Sequence, residues 1–309
     1  MQVGIIDMGT NTFHLMIAEV KGESYKIIYR DRVPVKIGEK GINKGEITSE
    51  AWSRAIKTLQ DFKITLEARE INQVFATATS AIRNARNGQD LVNEIKAQTG
   101  ISTRIISGTQ EAELILEGVK NAMDLGTEKS LIMDIGGGSI EFIIANQDST
   151  FWLRSFEVGG QRLVEKFHHT DPINRNEIDS LEKYLQSELE ELSTQYQLHK
   201  PTTLVGCSGT FDTLSEIYQE KNGRVNLENL TEYPLPLDAF KNIYQELIEK
   251  NRDQRLQIPG MIEMRVDMIV VACVLINFLI EKFDLQSLRV SSYALKEGVL
   301  INTIKSLSK

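Results

Sequence analysis

Two acidic corners carry the most suggestive chemistry. In the stretch GIIDMGTNTFHLMIA at 4–18, Asp7 stands two residues before Gly9 and a Thr10-Asn11-Thr12 turn; in LIMDIGGGSIEFIIA at 131–145, Asp134 stands two residues before Gly136-Gly137-Gly138 and Ser139. Glycines and small residues let a ligand approach the main chain and gather several N–H donors at one point, which suits phosphate. The hydroxyls of Thr10, Thr12 and Ser139 and the amide of Asn11 add donors. A carboxylate at such a corner repels phosphate unless a cation lies between them, so Asp7 and Asp134 read as ligands of Mg²⁺, which takes carboxylate, water and phosphate oxygens. Glu141 lies two residues past Ser139, on the same side of a strand. It joins them as a further metal ligand or as the group that positions the attacking water, and is expected to turn into a cleft rather than be buried. Its counterpart His14 reads as a structural or a phosphate-contacting imidazole.

Three more segments add to this. In RIISGTQEAELILEGV at 104–119, Ser107 and Gln110 have the spacing of a capping box, which places Glu111 in the first turn of a helix. The positive end of the helix favours its ionised form, as a stabilising acid or, beside a cleft, as a general base for water. In ATATSAIRNARN at 76–87, Arg83 and Arg86 leave a strand end together and read as a fork for a polyanion. GCSGT at 206–210, with Gly206, Ser208 and Gly209, is a third backbone-amide anion site with a helix N-terminus behind it.

The elements needed to position these groups follow from periodicity. Strands are expected at 2–7, 12–20, 24–33, 73–78 and 103–106, with helices at 49–69, 81–98 and 109–123. The programme restarts near residue 128 with strands at 129–134, 139–146 and 151–157 and helices from 160 and at 174–198. Strand 202–206 then leads into GCSGT and a helix. A loop is read at 223–235, followed by helices at 237–250 and 262–282, a strand at 288–291 and a last helix from 292. Shifted by 127 residues, the separation of Asp7 and Asp134, the chain superposes Ile5, Asp7, Gly9, Ile17 and Ala18 on Ile132, Asp134, Gly136, Ile144 and Ala145. A repeat of that length is a domain. The expected architecture is two copies of one α/β unit facing each other across a cleft, residues 1–124 and 125–309, with the final helix packing back on the first.

Composition sets limits. The chain has 309 residues, 35 Lys and Arg against 43 Asp and Glu, and a net charge of −8. This speaks against nonspecific nucleic-acid binding, which draws on a basic surface. Cys207 and Cys273 match no metal or CxxC spacing and are expected as free thiols. The apolar run at 268–280 is too short to span a bilayer, and a cytoplasmic protein without membrane partners is expected. That run reads as a core helix in preference to a subunit interface, so any homodimer is left without an assigned surface.

Taken together, DMGTNTFHL (7–15), ATSAIRNARN (78–87), ISGTQEAELILEGV (106–119), DIGGGSIE (134–141), GGQRL (159–163), GCSGT (206–210), MRVDMI (264–269) and VSSYALKEGVL (290–300) resemble, in order, the exopolyphosphatase / guanosine pentaphosphate phosphohydrolase family of the actin, Hsp70 and sugar-kinase superfamily. The resemblance implies two RNase H-like (actin-like ATPase) domains and Mg²⁺-dependent hydrolysis of a terminal phosphoanhydride, with polyphosphate or guanosine pentaphosphate as substrate. It implies Glu111 as catalytic base, Asp7, Asp134 and Glu141 as the acids of the Gly-rich turns, and Arg83 as the family's arginine. His14, Gln110 and Lys296 depart from the family's commoner residues. A kinase of the same superfamily and a non-hydrolytic guanosine tetra- or pentaphosphate sensor would share these turns.

Overall fold

A computed structural model of the chain describes residues 1–223 and 230–307. It opens with a meander of β1 (Gln2–Met8), β2 (Phe13–Lys21) and β3 (Ser24–Val33), followed by α1 (Ser49–Ala68), β4 (Gln73–Ala78), a short α2 (Ser80–Asn84), α3 (Gly88–Thr99), β5 (Thr103–Ile105) and α4 (Gly108–Ala122). A second meander, β6 (Ser130–Ile135), β7 (Ile140–Ala145) and β8 (Thr150–Phe156), leads to α5 (Gly160–Phe167), α6 (Arg175–Glu188), α7 (Glu190–His199), β9 (Thr203–Cys207) and α8 (Ser208–Asn222). Then come β10 (Glu232–Tyr233), α9 (Leu237–Glu249), α10 (Arg252–Leu256), α11 (Met268–Lys282), β11 (Ser287–Ser291) and α12 (Leu295–Leu307).

These elements form two compact units. The first holds residues 1–118, 136–138 and 295–309; the second holds 119–135 and 139–294. The first unit's sheet has the order β3-β2-β1-β4-β5 and the second's β10-β11-β9-β6-β7-β8. In each, a central strand pairs antiparallel with the next strand of its meander and parallel with a later one: β1 with β2 and β4, β6 with β7 and β9. The repeat extends to register. Asp7 stands opposite His14 in the first hairpin, and Asp134 stands opposite Glu141 in the second.

Burial explains why these segments take these forms. β6 and β7 are buried at every position, as expected of apolar, β-branched runs covered on both faces. On one face of the first sheet, Leu59, Phe62 and Leu66 of α1 and Leu91 and Ile95 of α3 pack in a core that includes Ile6, Leu15 and Ile17. Thr48 caps α1 by accepting a bond from the Ala51 amide, and Asn174 and Glu177 close a reciprocal capping box on α6. α11 is apolar all round and is the central helix of the second unit, with Met268 through Asn277 buried. Among the described residues, no helix is long and apolar enough to cross a membrane.

Three expected helices differ. The segment 81–98 is two helices because Ala85 is extended (ψ 136), Asn87 is tied by its side chain to the Ile47 amide and carbonyl, each at 2.9 Å, and the Gly88 backbone lies against the Ile82 carbonyl. The segment 174–198 breaks at Leu189, which leaves helical geometry at φ −102, ψ 25. The segment 262–282 becomes α-helical only at Met268. The loop read at 223–235 contains β10, which pairs with β11; its residues 224–229 lie outside the described residues, as do the last two of the chain.

α12 belongs to the first unit, and there Gly298 brings it against α4 so closely that a Cβ would overlap the Leu114 carbonyl. Gly298→Ala is expected to cost about 1–3 kcal/mol, the usual penalty of overpacking. Trp52 belongs to the first unit and Trp152 to the second, so single-tryptophan backgrounds report on each. The denaturation midpoint reported by Trp52 should fall in the variant; an unchanged midpoint would show that the two helices have room to separate.

Candidate functional site

In the first unit, β1 delivers Asp7 to the sheet's end and the Gly9–Thr12 turn follows, with Thr10 and Thr12 buried. The turn's carbonyls face inward: Thr12 O accepts from Gly9 N (3.1 Å), Asn11 O from Lys36 N (2.9 Å) and Thr10 O from Gly38 N (3.2 Å). Gly137 and Gly138 count with this unit. A Cβ at Gly137 would lie 2.8 Å from Asn11 Oδ1, and one at Gly138 would lie 2.5 Å from Ser80 Oγ and 2.6 Å from Thr10 Oγ1. Only glycine lets the main chain come this close to those polar atoms.

The start of α4 forms as its spacing predicts. Ser107 Oγ accepts from the Gln110 amide at 3.1 Å while Gln110 Oε1 accepts from the Ser107 amide at 3.2 Å. Glu111 follows in the first turn, only 6% exposed, and Arg83 Nη1 donates to its Oε2 at 2.7 Å and to the Ile106 carbonyl at 3.1 Å. Arg83 and Arg86 therefore form no common fork. The Arg83 side chain is turned inward to Glu111, whereas Arg86 is 77% exposed and pairs with Glu46. The helix break after Asn84 accounts for the divergence.

In the second unit, Asp134 and Glu141 face each other across the β6/β7 pair, so their side chains leave the sheet on the same face. Both are buried. Glu141 is 1% exposed, which corrects the expectation that it turns into an open cleft: it is buried, with Ser155 Oγ donating to its Oε1 at 2.6 Å. Ser208 Oγ donates to Asp134 Oδ2 at 2.7 Å. Ser208 does so from a left-handed backbone conformation (φ 68) between β9 and α8, a geometry that costs a non-glycine residue on the order of 1–3 kcal/mol. Burial, and the nearby Asp134, Asp212 and Glu141 carboxylates, push the Cys207 thiol well up, so it remains protonated and unreactive.

These donors are all hard oxygens, the set that suits Mg²⁺. Among the described residues no group of three or more His, Cys, Asp or Glu is arranged to hold an ion. The opposed pair Asp134 and Glu141 fits a Mg²⁺ that keeps most of its shell as water or phosphate oxygen.

Gly206, expected at the anion turn, lies instead inside β9 between β6 and β11, and the Phe211 ring fills the space a Cβ would need. Its role there is packing. Ser208 and Gly209 do form the β9–α8 corner. Sequence reasoning assigned no role to Arg265, whose guanidinium lies over Gly209, or to Asp212 on α8. The pattern MRVDMI held the only signal for the former, and nothing in its spacing distinguished a site arginine from a surface one.

Comparison with known proteins places this geometry. The model of the Ppx/GppA phosphatase family matches residues 16–307. The crystal structure of an exopolyphosphatase from Cytophaga hutchinsonii is 42% identical, with a TM-score of 0.95 over 99% of this chain and 98% of that one. The crystal structure of the Aquifex aeolicus Ppx/GppA family member is 23% identical with a TM-score of 0.81 over 100% and 99%, a likeness of fold. Exopolyphosphatase 1 of Mycobacterium leprae is 23% identical over 99% of this chain and 90% of its own length. The α/β chain, with the matching strand pairing of its two units, is a member of the Ppx/GppA phosphatase family.

Proposed function

We propose that the chain hydrolyses the terminal phosphoanhydride of inorganic polyphosphate, releasing orthophosphate, and acts in the same way on the 5′ γ-phosphate of guanosine pentaphosphate. The observation that carries this reading is the pairing of buried Glu111 with the half-buried Arg83 at the first turn of α4. An ionised glutamate there accepts the proton of a water molecule as the water oxygen bonds to the terminal phosphorus and the bridging P–O bond breaks. Arg83 acts as a positioning residue, holding the carboxylate by one hydrogen bond while the Ile106 carbonyl fixes the guanidinium by another.

The remaining groups divide by unit. Thr10, Asn11 and Thr12 with Gly136, Gly137 and Gly138 offer small, polar surroundings suited to phosphate oxygens in the first unit. Ser139, Ser208 and Gly209 belong to the second, where Asp134 and Glu141 are the residues that would hold Mg²⁺; Asp7 offers a carboxylate in the first. Bound there, Mg²⁺ would neutralise charge on the phosphate oxygens. Exopolyphosphatase is the activity named for the Cytophaga and Mycobacterium relatives, which supports polyphosphate as substrate.

Orthophosphate release from polyphosphate with no acceptor present separates hydrolysis from kinase-type transfer, and repeated turnover separates it from binding alone. Glu111→Gln should lower kcat by about 10²–10⁴-fold, the usual contribution of a general base; a fall of less than about tenfold removes Glu111 from that role. Arg83→Lys should lower kcat with little change in KM, because the lost second hydrogen bond acts through Glu111. A rise confined to KM would instead assign Arg83 to substrate. Chelation with EDTA should abolish release, and Mg²⁺ should restore it in wild type but far less in Asp134→Asn; full activity in metal-free buffer would exclude the cation.

A further inference from the structure

A helix that packs on a sheet normally turns an apolar stripe toward it. In the first unit α4 follows that rule with Ala112, Ile115, Leu116 and Val119 and α12 with Leu300 and Ile304, while beside those stripes both helices carry polar residues. From α4, Gln110, Glu113 and Glu117 line a cavity at i, i+3 and i+7, and from α12, Asn302, Thr303 and Ser306 line the same cavity at i, i+1 and i+4. Its floor is the sheet. Val74, Phe75, Ala76 and Thr77 of β4 line it, and Arg104 of β5 is the register partner of Thr77. The space measures about 550 Å³, within the range of small-molecule sites.

The lining defines what fits. Arg104, Glu113 and Glu117 line the cavity together and Lys305 pairs with Glu117, so the formal charges balance and nothing favours a polyanion. Phe75 is half-buried in the lining, and an aromatic side chain is a stacking partner for a base. The amides of Gln110 and Asn302 can donate and accept along the edge of a heterocyclic base. A carboxylate from Glu113 or Glu117 can accept from ribose hydroxyls, as acidic residues do in dinucleotide sites. We propose that this cavity is a binding site for an uncharged nucleoside, separate from the acidic corners.

The site touches the helix turn that carries Glu111. Ile106 lines the cavity, and its carbonyl accepts from Arg83; Gln110 lines it too, and its side chain caps the Ser107 amide. An occupant that draws on the Gln110 amide would loosen that cap and shift Glu111. This regulatory consequence rests on Glu111 being the base; the binding does not.

Titration calorimetry of the full chain with adenosine and guanosine tests the binding. Saturable one-to-one binding of at least one nucleoside is expected, undiminished by excess polyphosphate and retained in Glu111→Gln. Asn302 is exposed, so Asn302→Leu should leave the circular dichroism spectrum unchanged while weakening binding at least about tenfold, and Phe75→Ala should do the same through lost stacking. The proposal is overturned if neither nucleoside binds at millimolar concentration, if polyphosphate displaces it, or if Asn302→Leu binds like wild type. Orthophosphate release with and without the bound nucleoside tests the regulatory consequence alone: an unchanged rate removes it and leaves the binding result standing.

Discussion

A carboxylate that is 6% exposed can stay charged only where something replaces the water it has lost. For Glu111 that is the Arg83 guanidinium at 2.7 Å, and much of the first unit's local structure holds the two together. Arg83 lies in the last turn of a helix of five residues, whose end is fixed by the Asn87–Ile47 bonds and by the approach of Gly88 to the Ile82 carbonyl. Glu111 is fixed in turn by the Ser107–Gln110 capping box. Removing one member of a buried pair costs about 3–5 kcal/mol, because the other is left charged and alone. The pair therefore couples the position of Glu111 to the stability of its surroundings.

The second unit bears a different cost. Two acids buried opposite each other on one sheet face repel, and a serine in the left-handed region adds strain. Both features sit where β6, β7 and β9 meet α8, above an apolar core that runs from Leu131 through Phe211 to Val290. Strain at a site persists where the surroundings over-determine it, and here the core supplies that determination. Gly206 shows how tightly: Phe211 occupies the very volume that any larger residue in β9 would need.

The duplicated hairpins, the capping box at Ser107 and the acids of the two corners were legible because each depends on short-range pattern: alternation, a cap spacing, a glycine turn. The core role of α11 was legible in its uninterrupted apolar run. What could not be read depends on contacts far apart in the chain. The break at Ala85–Asn87 is imposed by Ile47, 40 residues away from Asn87. The Glu111 partner of Arg83 lies 28 residues on, so no local pattern could pair the two. Glu141 was expected in the open because a charge inside an apolar strand usually seeks solvent, and Ser155 on the neighbouring strand supplies the hydrogen bond that permits burial. Arg265 reaches Gly209 from 56 residues away, beyond any local pattern.

The two copies share register but not chemistry, and the difference falls at one position. Asp134 faces Glu141 across β6 and β7, whereas Asp7 faces His14 across β1 and β2. One hairpin thus presents two opposed carboxylates and the other a carboxylate beside an imidazole. A hard cation prefers oxygen donors, so the opposed carboxylates suit it better than a carboxylate beside an imidazole. The first unit's buried Glu111 is held by an arginine, where the second unit's acids are held by serine hydroxyls. An arginine neutralises its acid and leaves it poorly suited to a metal; a hydroxyl satisfies a lone pair and leaves the charge in place. A few positions are thus enough to give the carboxylate of one unit a cationic partner and the opposed pair of the other neutral hydroxyl partners.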